Sequence, residues 1–204
     1  YRKVKKTEKT QWTVPRKPVD LVILQDASGS FKNTIPNVQN ALKTLTTFVS
    51  EENYDENNPR LVKTDNPDTS DRVMMATFQG ADGYNYYYNN DFTGRKDTYG
   101  SWGPDYDYKY KSSNLSSDQN DIHQFIDNIK VAGGTPTVPA IDDVIAQYNQ
   151  RKGNMANGRK TIFLLITDGV ANGKRDPDGK VRLEYSDYRN NILTRAWNFD
   201  ELTE

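Results

Sequence analysis

Apolar residues in this chain gather into three short, nearly unbroken runs, at residues 19–24 (VDLVIL), 72–78 (RVMMATF) and 160–167 (KTIFLLIT). A run that is apolar throughout, rather than at alternate positions, predicts a strand buried on both faces. Between the runs the period changes. Ile35, Val38, Leu42, Leu45 and Val49 recur at helical spacing over residues 34–49, with Pro36 in the first turn. Ile122, Phe125, Ile126 and Ile129 do the same over 118–130, after Ser117 as a cap, and Ile141, Val144, Ile145 and Tyr148 over 139–148. Buried strands alternating with helices predict an α/β fold, a doubly wound and mostly parallel sheet flanked by helices.

The remaining sequence is polar. Residues 1–17 are basic, with Pro15 and Pro18 bracketing the approach to the first strand, and read as a lead-in from a neighbouring domain. Residues 18–204 then form one domain. Within it, residues 50–70 are rich in acids, Asn and Pro and read as an inserted loop. Residues 80–117 read as an inserted aromatic arm, holding eight of the 13 tyrosines together with Trp102. Its segment 105–110 (DYDYKY) alternates as a hairpin strand does. Such rings either pack on the domain or form a contact surface, since Tyr and Trp supply stiff area with a polar handle. On the second reading Tyr86, Tyr87, Tyr88, Trp102, Tyr106 and Tyr108 bind the ligand. Past Asp168, turn signals stand at Asn172-Gly173 and Asp178-Gly179, and residues 188–199 predict one more helix. The acids at 176–178 read as a turn rather than a calcium loop.

Composition removes whole classes of chemistry. The 204 residues carry 27 Lys and Arg against 28 Asp and Glu, a net charge of −1 that favours neither nucleic acid nor an anionic membrane. No apolar stretch reaches bilayer length, so no membrane insertion is expected. With no cysteine and His123 as the single histidine, disulfides, thiolate chemistry, His-rich metal sites and a Ser–His–Asp triad fall away. His123 lies off the apolar stripe of its helix and reads as solvated.

Chemistry gathers instead where the strands stop. The first ends in Asp26, with Ser28 and Ser30 at alternate positions around Gly29, and the third ends in Asp168-Gly169. Small oxygen-bearing side chains on one turn suit a hard divalent cation; equally, Ser and Asp cap helices. Ligands of open α/β sheets sit outside the carboxyl ends of the strands. If the first and third strands are neighbours, Asp26 and Asp168 converge, and the turn at 133–137 (GGTPT) brings Thr135 to the same spot. That set would be an oxygen site suited to Mg²⁺, with Mn²⁺ or Ca²⁺ as alternatives.

D-A-S-G-S at 26–30, G-G-T-P-T at 133–137 and I-T-D-G at 166–169, in this order, resemble the metal-ion-dependent adhesion site of von Willebrand factor A domains. The first strand and R-V-x-x-x-x-F at 72–78 are similar to that family as well. The resemblance implies a Rossmann-like fold in which Ser28, Ser30 and Thr135 offer hydroxyls to the metal, with Asp26 and Asp168 acting directly or through water. It implies an open coordination position, filled by a partner's carboxylate. The family continues beyond the residues that remain after Asp168, so the C-terminal part of the fold is expected to be incomplete.

Cysteine-free, Lys/Asn/Thr/Tyr-rich sequence with an aromatic excursion resembles the adhesins at the tips of Gram-positive pili. That resemblance implies an extracellular, cell-surface location, stalk or pilus domains of the same protein as neighbours, and a host matrix or cell-surface glycoprotein as partner. The expected function is therefore cation-dependent adhesion. The alternative is a structural or assembly domain, of a pilus or an intracellular complex, whose metal only stiffens loops. A metal-dependent hydrolase with Asp26 as nucleophile is disfavoured, because a second acid is wanted two residues on, where Ser28 stands; the chain is expected not to be an enzyme.

Overall fold

The computed structural model describes residues 16–81, 107–153, 158–169, 171 and 173–183. Its centre is a four-stranded sheet whose strands lie side by side in the order Asp107–Ser112, Arg72–Ala81, Val19–Asp26, Lys160–Ile166. Strands β1 (Val19–Asp26), β4 (Arg72–Ala81) and β6 (Lys160–Ile166) run parallel, while β5 (Asp107–Ser112) is antiparallel to β4. Helices α1 (Ile35–Leu45) and α2 (Gln119–Asp127) cover one face, and α3 (Thr137–Arg151) covers the other. The predicted α/β architecture, a mostly parallel central sheet flanked by helices, is the one observed.

The apolar runs explain this layering, since side chains alternate across a strand and a two-sided sheet needs both sets apolar. Val22, Leu24, Met74, Ala76 and Phe78 pack beneath Ala140, Ile141, Val144 and Tyr148 of α3. Leu21, Ile23, Val73 and Met75 pack beneath Leu42 of α1 and Ile122 and Ile126 of α2. At the amino end of the sheet one buried carboxylate closes the core. Asp20 accepts from Arg72 Nε and Nη2 (2.8 and 2.6 Å), Arg159 Nε (2.8 Å) and the Tyr148 hydroxyl (2.9 Å). Asp71, also buried, pairs with Arg16 and accepts the Val19 and Val62 amides, which fastens the end of the basic lead-in.

Several expectations are corrected. Residues 50–70 are not simply a loop: β2 (Phe48–Ser50) and β3 (Leu61–Lys63) pair in parallel. Helix α1 therefore stops at Leu45 rather than reaching Val49. Thr46 and Thr47 turn their hydroxyls back onto the Leu42 and Lys43 carbonyls as the chain leaves for β2. The cap of α2 is Asp118, which accepts the Asn120 amide at 2.9 Å, and not Ser117. His123 is half-buried, with Nε2 3.1 Å from the Lys43 carbonyl, so it joins α2 to the end of α1 rather than facing water. Strand β6 was expected to be fully buried; among the described residues it is an edge strand, and Ile162 and Leu165 are 49% and 41% exposed.

Both ends of the span predicted as an aromatic arm, 80–117, belong to the body of the fold, and residues 82–106 lie outside the described residues. Residues 80 and 81 continue β4, and 107–112 form a strand of the central sheet, registered from Ala76↔Ser112 to Ala81↔Asp107. The alternation of Tyr108 and Tyr110 is thus a sheet pattern, with both rings packed toward the α3 side. The acids at 176–178 form the turn of a hairpin between β7 (Gly173–Arg175) and β8 (Val181–Leu183), closed by the Gly179 amide on the Asp176 carbonyl at 2.9 Å. The helix predicted at 188–199 lies outside the described residues.

Candidate metal centre

Three loops meet at the carboxyl edge of the sheet because β1 is hydrogen-bonded to β4 on one side and β6 on the other. The β1–β6 register ends at Gln25↔Ile166, so Asp26 and Thr167 follow at the same level, with Asp168 one residue further on. After Asp26 the chain folds back on itself. The Ser28 amide donates to Asp26 Oδ1 at 2.7 Å, and a 3₁₀ turn over Gly29–Asn33 buries Phe31 beneath the loop. The third loop is drawn in by backbone bonds: the Gly29 amide donates to the Gly133 carbonyl and the Ala132 amide to the Ala27 carbonyl, each at 2.9 Å. Gly80 and Gly134 exchange both of their bonds, at 3.0 and 2.8 Å. Gly133 has φ 66°, a left-handed conformation that side chains resist, which accounts for a glycine at this bend.

The predicted metal residues come together in one place. The Ser30 hydroxyl donates to Asp168 Oδ1 at 2.6 Å, across 138 positions of sequence, and lies 2.9 Å from the Ser28 hydroxyl. Thr135 is buried, and its hydroxyl faces Gly169 so closely that a Cβ at that glycine would stand 2.9 Å from Oγ1. Gly169 is therefore what lets the Asp168 loop and the Thr135 loop touch. Tyr86, Tyr87, Tyr88, Trp102 and Tyr106, assigned to ligand contact, lie outside the described residues. Tyr108 is half-buried on β5. Its hydroxyl donates to Asp143 of α3 at 2.7 Å, and Arg175 lies over its ring while bonding the same carboxylate, also at 2.7 Å. Burial and Asp143 together push the Tyr108 phenol far above its ordinary pKa. In this geometry Tyr108 fastens β5 to α3 and the β7–β8 hairpin.

Two groups escaped the sequence reading. Thr167 donates its hydroxyl to Asp26 Oδ2 at 2.7 Å, so the acid is held on both oxygens. The register of two neighbouring strands could have flagged it, because Thr167 comes level with Asp26. Gln79 is the second: its carboxamide nitrogen reaches the Ala27 and Lys130 carbonyls at 3.0 and 2.8 Å, tying β4 to both loops. Nothing in the residue pattern around Gln79 distinguishes it from an ordinary strand-end amide.

Electrostatically the site is short of positive charge. Asp26 is fully buried, and desolvation pushes its carboxyl above the ordinary range; the hydroxyls of Ser28 and Thr167 and the Ser28 amide oppose that rise, while the Asp168 charge adds to it. Among the described residues no lysine or arginine pairs with Asp26 or Asp168. Nor do three His, Cys, Asp or Glu side chains cluster anywhere among them. A cation held here would therefore rest on two carboxylates and the hydroxyls of Ser28, Ser30 and Thr135. That all-oxygen set fits a hard divalent ion and suits neither zinc nor copper.

No protein-family model matches the chain. Over 209 aligned residues it is 60% identical to Platelet adherence protein A of Streptococcus gordonii (strain Challis), an alignment that takes in 100% of this chain and 6% of the relative. Among solved structures, the pilus adhesin SpaC from Lactobacillus rhamnosus GG in its open conformation aligns with a TM-score of 0.47 at 21% identity, over 81% of this chain and 17% of that one. The vWF domain of the type V pili tip protein Mfa5 from Porphyromonas gingivalis aligns with a TM-score of 0.44 at 15% identity, over 78% of this chain and 40% of that one. This chain is thus similar, along its whole length, to one short stretch of a far longer streptococcal adherence protein.

Proposed function

We propose that this chain is a divalent-cation-dependent adhesion module, displayed on a bacterial surface or pilus tip, that captures an acidic residue of a host matrix or cell-surface glycoprotein. The carrying observation is the convergence of Asp26, Ser28, Ser30, Thr135 and Asp168 from three loops, with no basic side chain paired to either acid among the described residues. A bound Mg²⁺ supplies a concentrated positive charge for a partner's carboxylate. The residues do the rest. Asp26 is locked by the Ser28 amide and the Thr167 hydroxyl, so its oxygens keep one orientation. Neutral hydroxyls from Ser28, Ser30 and Thr135, in place of further acids, leave the ion under-neutralised and receptive to an incoming anion. The 60% identity to a stretch of a platelet adherence protein supports platelets as the first surface to try.

The test is binding of the chain to immobilised platelets, fibronectin, fibrinogen and collagen in Mg²⁺ and then in EDTA, with the folded Ser28→Ala/Ser30→Ala variant as control. Binding lost in EDTA and in the variant supports cation-dependent adhesion. Binding that survives both moves adhesion elsewhere on the chain and leaves the cation a structural part.

A further inference from the structure

Strand β5 sends Tyr108 and Tyr110 toward α3, and it sends Lys109 and Lys111 to the opposite face. There α2 stands off from the sheet edge, and a groove of about 650 Å³ opens between them. Thr77 and Gln79 of β4 form its floor, Lys111 one wall, and Asp121, Phe125 and Lys130 the other. Its volume falls in the range of small-ligand sites, and it lies apart from the residues of the candidate metal centre.

Part of this groove is committed to structure. The Gln79 carboxamide is bound to the Ala27 and Lys130 carbonyls, which fixes the floor. Four other polar groups are not so engaged. The hydroxyl of Thr77 (8% exposed), the ammonium groups of Lys111 and Lys130, and the Asp121 carboxylate enter no hydrogen bond or ion pair among the described residues. Two donors of positive charge, one acceptor of negative charge and a hydroxyl thus face a cavity beside an aromatic ring.

We propose that this groove binds a sugar ring bearing one carboxylate, as the acidic residue of a glycan. Lys111 and Lys130 take the carboxylate, Asp121 and Thr77 take ring hydroxyls, and Phe125 lies against the apolar face of the ring. The lone acid decides among anions. Asp121 opposes a doubly charged phosphate or a run of acidic peptide side chains more than it opposes a single carboxylate, and it is an acceptor that neighbouring sugar hydroxyls satisfy. An extended peptide would also find its backbone partners along the outer edge of β5 rather than inside the groove. The site does not depend on the cation, so its success or failure leaves the adhesion reading standing on its own test.

The experiment is a ¹H–¹⁵N titration of the chain, in EDTA, with glucuronic acid, N-acetylneuraminic acid, galactose and a glutamate-rich peptide. Expected are saturable shifts at the amides of Lys111, Asn114, Asp121 and Lys130 with the two acidic sugars. Galactose, and the acidic sugars on Lys111→Gln or Lys130→Gln, should bind about tenfold more weakly, the size of one lost charge-assisted hydrogen bond. Both lysines are exposed, and unchanged spectral dispersion elsewhere certifies the fold of each variant. The proposal is overturned if no acidic sugar saturates these amides, if the lysine variants bind as tightly as the parent, or if the peptide outcompetes the sugars.

Discussion

Replacing Asp26 with Asn separates the cost of a buried acid from the gain of binding a cation. The asparagine is nearly isosteric and keeps both bonds, accepting the Ser28 amide and donating to the Thr167 hydroxyl, whose partners now stand at 2.7 Å. In EDTA the variant should melt no lower than the parent, because it removes a desolvated charge that Asp168 repels. In Mg²⁺ the two should diverge. A ligand at a hundredfold excess over its Kd stabilises the folded state by about 2.7 kcal/mol. For a chain of this size each kcal/mol moves Tm by roughly 2–4 °C, so the parent should gain about 5–10 °C. On the proposed reading the Asp26→Asn chain lacks one charged ligand and should gain almost nothing. Scanning calorimetry of both proteins, with and without Mg²⁺, reads all four values. Equal Mg²⁺-induced shifts in parent and variant would refute the reasoning, as would a parent that ignores Mg²⁺.

Other perturbations read neighbouring parts of the same geometry. Gly169→Ala puts a methyl 2.9 Å from Thr135 Oγ1 and should weaken Mg²⁺ binding about tenfold by calorimetric titration, at a stability cost of about 1–3 kcal/mol from overpacking. Asp20→Ala strips a fully buried acceptor from Arg72, Arg159 and Tyr148, and should cost about 3–5 kcal/mol in urea unfolding without altering the Mg²⁺ titration of whatever folds. Because burial raises the folded-state pKa of Asp26, the fold binds more protons than the unfolded chain between the ordinary carboxylate value and that raised value. In EDTA its contribution to stability should therefore fall as pH rises through that window and stay level above it. Saturating Mg²⁺, which holds the ionised form, should reverse the slope. The difference between parent and Asp26→Asn melting curves across pH isolates this one group.

The sequence was most readable where burial leaves no choice. Strands β1 and β4, packed on both faces, had to be apolar runs, and the acids closing β1 and following β6 stood out against them. Asp26, Ser28, Ser30, Thr135 and Asp168 could be gathered from three motifs because parallel strands bring their carboxyl ends to one edge. Pairing between short segments was not readable. Strands β2 and β3 span three residues each, too few for a period, and their partnership depends on contacts 13 residues apart. The place of β5 in the sheet was obscured because its tyrosines resemble the preceding aromatic sequence, although Tyr108 and Tyr110 are packing residues. Thr167 was hidden for another reason. Its role is fixed by the β1–β6 register, and register is a property of two strands together.

The position of β1 between two parallel neighbours has a mechanical consequence. The chain reaches this strand at Val19, whose amide is anchored on Asp71, and leaves it at Asp26, beside the candidate site. A pull applied between the start of the domain and a partner held at that edge would run along the strand axis. The ladders to β4 and β6 would then be loaded in shear, and their bonds would have to fail together rather than peel in turn. Resistance to such a load is set by the barrier to unfolding rather than by equilibrium stability. Under such a load the lifetime of the fold follows the joint rupture of two ladders on β1, not its equilibrium stability.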